Sequence, residues 1–134
     1  MKKWLCNKRV FALDLHCPWL KRARNEQAFF VGKKSKILWK RIVQYSKILE
    51  KVNKGTLIYK SKDNLPYGVD WNVGNIIGFS NWAGSLPGAV FSSTLETPYA
   101  NARGGEVTVE SARKFGRYLA KSIKLFLERS SFQS

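Results

Sequence analysis

Hydrophobic and polar positions follow two rhythms along the chain. Val10-Phe11-Ala12-Leu13-Asp14-Leu15 is a nearly unbroken apolar run ending at His16, the pattern of a strand buried on both faces. Pro18 lacks a backbone donor and ends regular pairing. After a polar connection over 20–27, Ala28-Phe29-Phe30-Val31 reads as a second short strand closed by Gly32. The rhythm then changes. Leu38, Ile42, Tyr45, Leu49 and Val52 recur at steps of three and four behind Ser35, a capping residue type; this predicts a helix over 36–53. Lys36, Lys40, Lys47, Lys51 and Lys54 lie largely off its apolar stripe, and Gly55 is placed to be its C-cap. Ala89 to Leu95 reads as a third strand, with Glu96 at its end. Thr108 is the expected cap of a last helix over 109–128, with Glu110 in its first turn and Ala112, Phe115, Leu119, Ile123, Phe126 and Leu127 on its apolar face.

The remaining stretches are polar and rich in turn residues. Lys60 to Asn75 contains Pro66, Gly68 and Gly74 and reads as a long loop, a kind of segment that is often functional. Residues 78–88 are expected to form turns, 98–105 a further loop, and the tail Ser130 to Ser134 to fray. Strands alternating with amphipathic helices predict an α/β layer structure. With 134 residues, it forms a single domain over 1–134.

Composition narrows the function classes. No apolar run approaches the roughly 20 residues of a membrane span, so no membrane partner is expected. The basic start at Met1-Lys2-Lys3 is followed by too short an apolar stretch for a signal-peptide core before Lys8 and Arg9 interrupt it. Cys6 and Cys17 do not make a disulfide scaffold. The chain has one histidine, so no all-histidine metal site can be assembled from a single copy. The net charge is +15, and residues 1–62 hold 17 Lys/Arg against three Asp/Glu. That asymmetry fits an acidic partner, or a set of solvated lysines on helices. The basic residues fall at helical positions and are not gathered in one tail, which disfavours nucleic acid as the partner.

Two residues stand out chemically. His16 follows a strand, where a side chain is held firmly at the sheet edge; a metal ligand, a catalytic base and a packed histidine all fit that position. Glu96 has the same placement. Burial there favours its protonated form and suits general acid/base work. The competing reading is a carboxylate paired with Arg103 or Arg113.

Taken together, Thr94-Leu95-Glu96-Thr97-Pro98-Tyr99-Ala100 and the following Val107-Thr108 and Ala112-Arg113-Lys114-Phe115-Gly116-Arg117-Tyr118-Leu119-Ala120 resemble the carboxy-terminal end of zinc metallocarboxypeptidases, the carboxypeptidase A/B-like family. Leu13-Asp14-Leu15-His16-Cys17-Pro18-Trp19 resembles the family's segment at its downstream zinc-ligand histidine. The resemblance covers roughly residues 10 to 128, in the family's order. It implies an α/β fold with a partly parallel mixed sheet flanked by helices, the C-terminal part of a zinc-carboxypeptidase-like domain. It implies Glu96 as general base and His16 as one zinc ligand, with zinc lowering the pKa of a bound water and polarising the scissile carbonyl of a peptide C-terminus. Tyr67 is the nearest tyrosine to the family's mobile one, and Trp82 is a candidate for lining a specificity pocket. The family's upstream H-x-x-E motif, which supplies its other two zinc ligands, has no counterpart here. The chain therefore looks like the second half of such a domain, inactive alone, whose partner would be an N-terminal half carrying H-x-x-E. If so, His16 and Glu96 should converge within roughly 10 Å, the span of one metal–water bridge, and part of a strand edge should be exposed. The alternatives are a small basic, non-catalytic binding module for nucleic acid or acidic surfaces, and a relic that retains only part of the fold.

Overall fold

The computed structural model describes residues 8–21, 23–75 and 77–130. Among the described residues there are five strands and three helices: β1 (Val10–His16), β2 (Phe29–Phe30), α1 (Lys36–Val52), α2 (Phe79–Gly84), β3 (Ala89–Glu96), β4 (Asn101–Ala102), β5 (Gly105–Glu106) and α3 (Val109–Ser130), with a short 3₁₀ turn at Ser61–Asp63. The fold is α/β. Its main sheet is mixed, in the order β1-β3-β2, with β1 parallel and β2 antiparallel to β3. Among the described residues no helix is long and apolar enough to cross a membrane.

The period-2 geometry of the strands explains how the molecule divides. Phe11 and Leu13 of β1, Phe30 of β2, and Phe91 and Leu95 of β3 belong to one core with Ile42, Tyr45, Ile48 and Leu49 of α1 and Phe115, Leu119 and Phe126 of α3. Tyr45 is fully buried. Its hydroxyl accepts from Ser122 Oγ at 3.0 Å and donates to the Leu119 carbonyl at 3.4 Å, so the ring's one polar group has partners from α3. The alternate positions, Asp14, His16, Thr94 and Glu96, fall on the opposite face. There Phe29, Val31 and Leu65 form a smaller cluster with Trp71.

Several expectations are corrected. β1 is not buried on both faces: Leu15 is 63% exposed and only Ala12 is buried, and among the described residues β1 is the outer strand of the sheet. Gly55 is not the C-cap of α1. Asn53 fills that place with extended backbone, its N–H donating to the Leu49 carbonyl, so no left-handed residue is required. Residues 79–84 form a helix where turns were expected. Its buried side is made of small residues: a Cβ on Gly84 would lie 3.1 Å from Leu38 Cδ1 and 3.4 Å from Ser92 Cβ, and Ser80 and Ala83 are buried beside it. Close packing on α1 and β3 outweighs the low helix propensity of this stretch. The loop expected at 98–105 contains the β4–β5 hairpin, turned through Arg103 and Gly104, both at positive φ.

The stretch 60–75 is a loop, as expected, apart from the short turn at Ser61–Asp63, and it packs along the sheet's flank. Leu65 N donates to Phe30 O and Gly32 N to Leu65 O, so the chain runs beside β2 with Val31 and Leu65 bridged in parallel. A Cβ on Gly32 would lie 2.8 Å from the Leu65 carbonyl oxygen, which is why the strand-closing residue is glycine. Capping at the other end is as expected: Thr108 Oγ1 accepts from Ser111 N and Ser111 Oγ from Thr108 N, a reciprocal box that starts α3. The fraying expected of the tail concerns 131–134, which lie outside the described residues, as does Cys6; Ser130 closes α3, and Cys17 is an exposed free thiol.

Candidate active site

Parallel pairing brings the two singled-out residues together. Asp14 is the register partner of Thr94, and His16 of Glu96. The 80 positions between His16 and Glu96 in sequence collapse to one interstrand step, ~4.8 Å between neighbouring strands. Side chains at partnered positions of a parallel pair leave the sheet on the same face. Asp14, His16, Thr94 and Glu96 therefore share one wall of a cavity of about 380 Å³. Its other walls include Gly32 to Lys34, Tyr67, Trp71, Asn72 and the start of α2 at Ser80 and Asn81.

Tyr67 is thus in the same cavity, its hydroxyl donating to the Gly74 carbonyl at 3.1 Å. Trp82 is not among the lining residues. It sits half exposed on α2, tilted against Phe79 at 5.9 Å between ring centroids, because the buried side of that helix is taken by Ser80, Ala83 and Gly84.

The two central residues differ in environment. Glu96 is 7% exposed, and its Oε2 is buried without a hydrogen-bond partner among the described residues. The pairing with Arg103 does not occur: Arg103 forks onto Asp63, with Nε 2.6 Å from Oδ2, and Arg113 lies exposed on α3. Burial pushes the Glu96 carboxyl above the usual carboxylate range; His16 draws it back, and Asp14 adds to the rise. His16 is more open, with 57% of its side chain exposed, and its Nε2 is 3.2 Å from Asp14 Oδ1.

The donor set does not by itself fit zinc. A catalytic zinc site takes three protein ligands and a water. Among the described residues no group of three His, Cys, Asp or Glu side chains is disposed to hold a metal ion. The chain matches no protein-family model, no curated protein and no solved structure.

Sequence reasoning did not single out Asp14, Lys33, Ser80, Asn81 or Thr94 for this site. Asp14 and Thr94 were within reach, each two positions before a singled-out residue and so on the same face. Lys33 carries no local signal, being one lysine among many.

A raised carboxyl pKa has a consequence for stability. The folded state holds the Glu96 proton more tightly than the unfolded chain, so the ionised group disfavours folding, and this penalty disappears below the unfolded value of ~4.3. Glu96→Gln is therefore expected to stabilise the protein at pH 8 by on the order of 1 kcal/mol, the scale of a buried polar group without its partner, and to leave stability unchanged at pH 4. Thermal melts of both proteins across that range would show the curves separating as pH rises. Parallel curves would remove Glu96 as a strained buried acid.

Proposed function

We propose that this chain carries the base-bearing half of a metallocarboxypeptidase-like site and acts in hydrolysis of C-terminal peptide bonds once a further segment completes that site. The observation that carries the reading is the juxtaposition of His16 and Glu96 as register partners on the wall of one cavity. In it, Glu96 is the general base: a buried carboxyl with one oxygen free of partners can accept a proton at Oε2 and return it. His16, close to Asp14, offers a ring nitrogen as a single metal ligand. Zinc is the metal the resemblance implies, and the remaining ligands would come from a segment bearing H-x-x-E. The donors described here do not complete a ligand set, so no step is assigned to the metal.

The purified chain is expected to show no release of C-terminal residues from peptides with zinc added. Co-folding with a fragment that carries H-x-x-E should produce hydrolysis, and Glu96→Ala in the complemented protein should lower turnover by about 100-fold or more, the range of a general base. Activity of the complemented protein that is indifferent to both Glu96→Ala and His16→Ala would overturn the reading.

One observation favours the second reading, a basic binding module. A groove between α1 and α3 is lined by Lys47, Lys51, Lys54, Lys121 and Arg129 around Ile48, Tyr118 and Phe126, with no acidic residue in its lining. Retention on an acidic matrix that collapses steeply with salt, together with no hydrolysis on complementation, would favour it.

A further inference from the structure

The cavity wall opposite Glu96 contains a residue that the peptidase reading leaves unexplained. Lys33 follows the glycine that closes β2 and is only 9% exposed. Its Nζ donates to Ser80 Oγ at 2.7 Å and Asn81 Oδ1 at 2.8 Å, and Ser80 Oγ is in turn 2.9 Å from Thr94 Oγ1. Both of its acceptors are neutral. No carboxylate lies within ion-pair distance of Nζ among the described residues. Buried lysines are ordinarily paired with an acid. An ammonium has three N–H groups, and only two have acceptors here.

We propose that Lys33 is the anchor for a ligand carboxylate in this cavity, so that the peptide end accepted beside His16 and Glu96 is acidic, with aspartate or glutamate as its last residue. The inference rests on the peptidase reading for the word peptide. The anion site itself rests on Lys33, Ser80 and Asn81. The carboxylate that Lys33 anchors is that acidic side chain, held by a charge-assisted hydrogen bond in a partly desolvated site.

Titration behaviour agrees with this geometry. Burial pulls the Lys33 ammonium down to about 8, and Asp14 partly restores it. The other groups facing the cavity are His16 and Glu96 from the sheet, Lys34 next in the chain, and Tyr67 from the flank. A carboxylate docking on Nζ favours the charged amine, so binding near pH 8 should take up protons. At pH 6 Lys33 is already protonated and contributes no uptake.

The test is calorimetric titration of the full chain with N-acetyl-Ala-Glu, N-acetyl-Ala-Gln and N-acetyl-Ala-Glu-amide at pH 8, in two buffers of different ionisation enthalpy. N-acetyl-Ala-Glu is expected to bind with proton uptake, and Lys33→Met to weaken it about tenfold or more, while Lys36→Met, at an exposed lysine outside the cavity lining, changes it less than twofold. Lys33→Arg guards against a folding defect: it keeps the charge but does not titrate, so binding should persist and proton uptake vanish. Weaker binding of the Gln peptide assigns the carboxylate to the side chain and supports the proposal; weakening by the amide alone assigns it to the terminus and overturns the acidic preference. Three peptides that bind alike, or binding and uptake that are unmoved in both Lys33 variants, would overturn it. None of these readouts requires hydrolysis. Absent turnover on complementation would therefore defeat the peptidase reading alone, and hydrolysis of neutral peptides without acidic preference would defeat this inference alone.

Discussion

Replacing Phe91 by alanine is expected to destabilise the protein by about 3–5 kcal/mol, the range for losing a buried aromatic side chain. Phe91 has no exposed surface and stands at the middle of the ring cluster. It stacks on Phe11 with centroids 4.2 Å apart, meets Tyr45 edge-on at 4.9 Å, and lies 5.9 Å from Phe30 and 6.1 Å from Phe126. Those partners come from β1, α1, β2 and α3, so one side chain joins every layer of the main core. A small domain has only about 5–15 kcal/mol of net stability, and this loss takes a large share of it. Urea titration by far-UV circular dichroism measures it directly. A shift under 1 kcal/mol would mean that the cluster repacks around the gap and that the described interlocking of rings is wrong.

The same residue shows why much of the fold was legible. Phe91 lies in a β-branched and aromatic run whose neighbours alternate between core and site face, and Leu38, Ile42, Tyr45 and Leu49 keep the helical stripe without interruption. Where one face of an element is buried against one partner, the period is written into the sequence. The helix at 79–84 was not legible for the converse reason. Its buried contacts are made by Ser80, Ala83 and Gly84, and small residues selected for close approach look like turn residues. The segment from 60 to 75 was legible as a loop, but not the way it packs. It has no period, yet its polar side chains are turned inward and bonded to the backbone of its neighbours: Asn72 Nδ2 donates to the Gly32 carbonyl, and Asp63 holds Arg103.

The site divides along the same line. His16 and Glu96 were readable because each follows an apolar run, and strand ends present side chains at a sheet edge. Their register could not be read, since nothing local in either segment specifies which residue faces which across a parallel pair. Lys33 was invisible because its burial is decided by α2, an element that the sequence pattern did not announce.

Asn64 provides the second large effect, about 3–5 kcal/mol for Asn64→Leu, because two buried donors lose their acceptor at roughly 1–3 kcal/mol each. Its Oδ1 accepts from Phe30 N at 2.9 Å and from Tyr59 Oη at 2.9 Å, and its Nδ2 donates to Ser46 Oγ at 2.7 Å. Leucine keeps the branching of the side chain and removes its hydrogen-bonding groups. Adding Tyr59→Phe to the Asn64→Leu variant removes one of the stranded donors and should restore part of the loss, a non-additivity that a double-mutant cycle reads. The Phe30 tether also positions β2, where Phe29 is the register partner of Glu96. Amide exchange should therefore accelerate at Phe30 and across the β2–β3 pairing, while the amides of α3, which Asn64 does not touch, keep their order of protection. Uniform acceleration in every element would instead mean that Asn64 supports only global stability. A loss below 1 kcal/mol would mean that this polar centre is not the joint between the 60–75 segment and the sheet that carries Glu96.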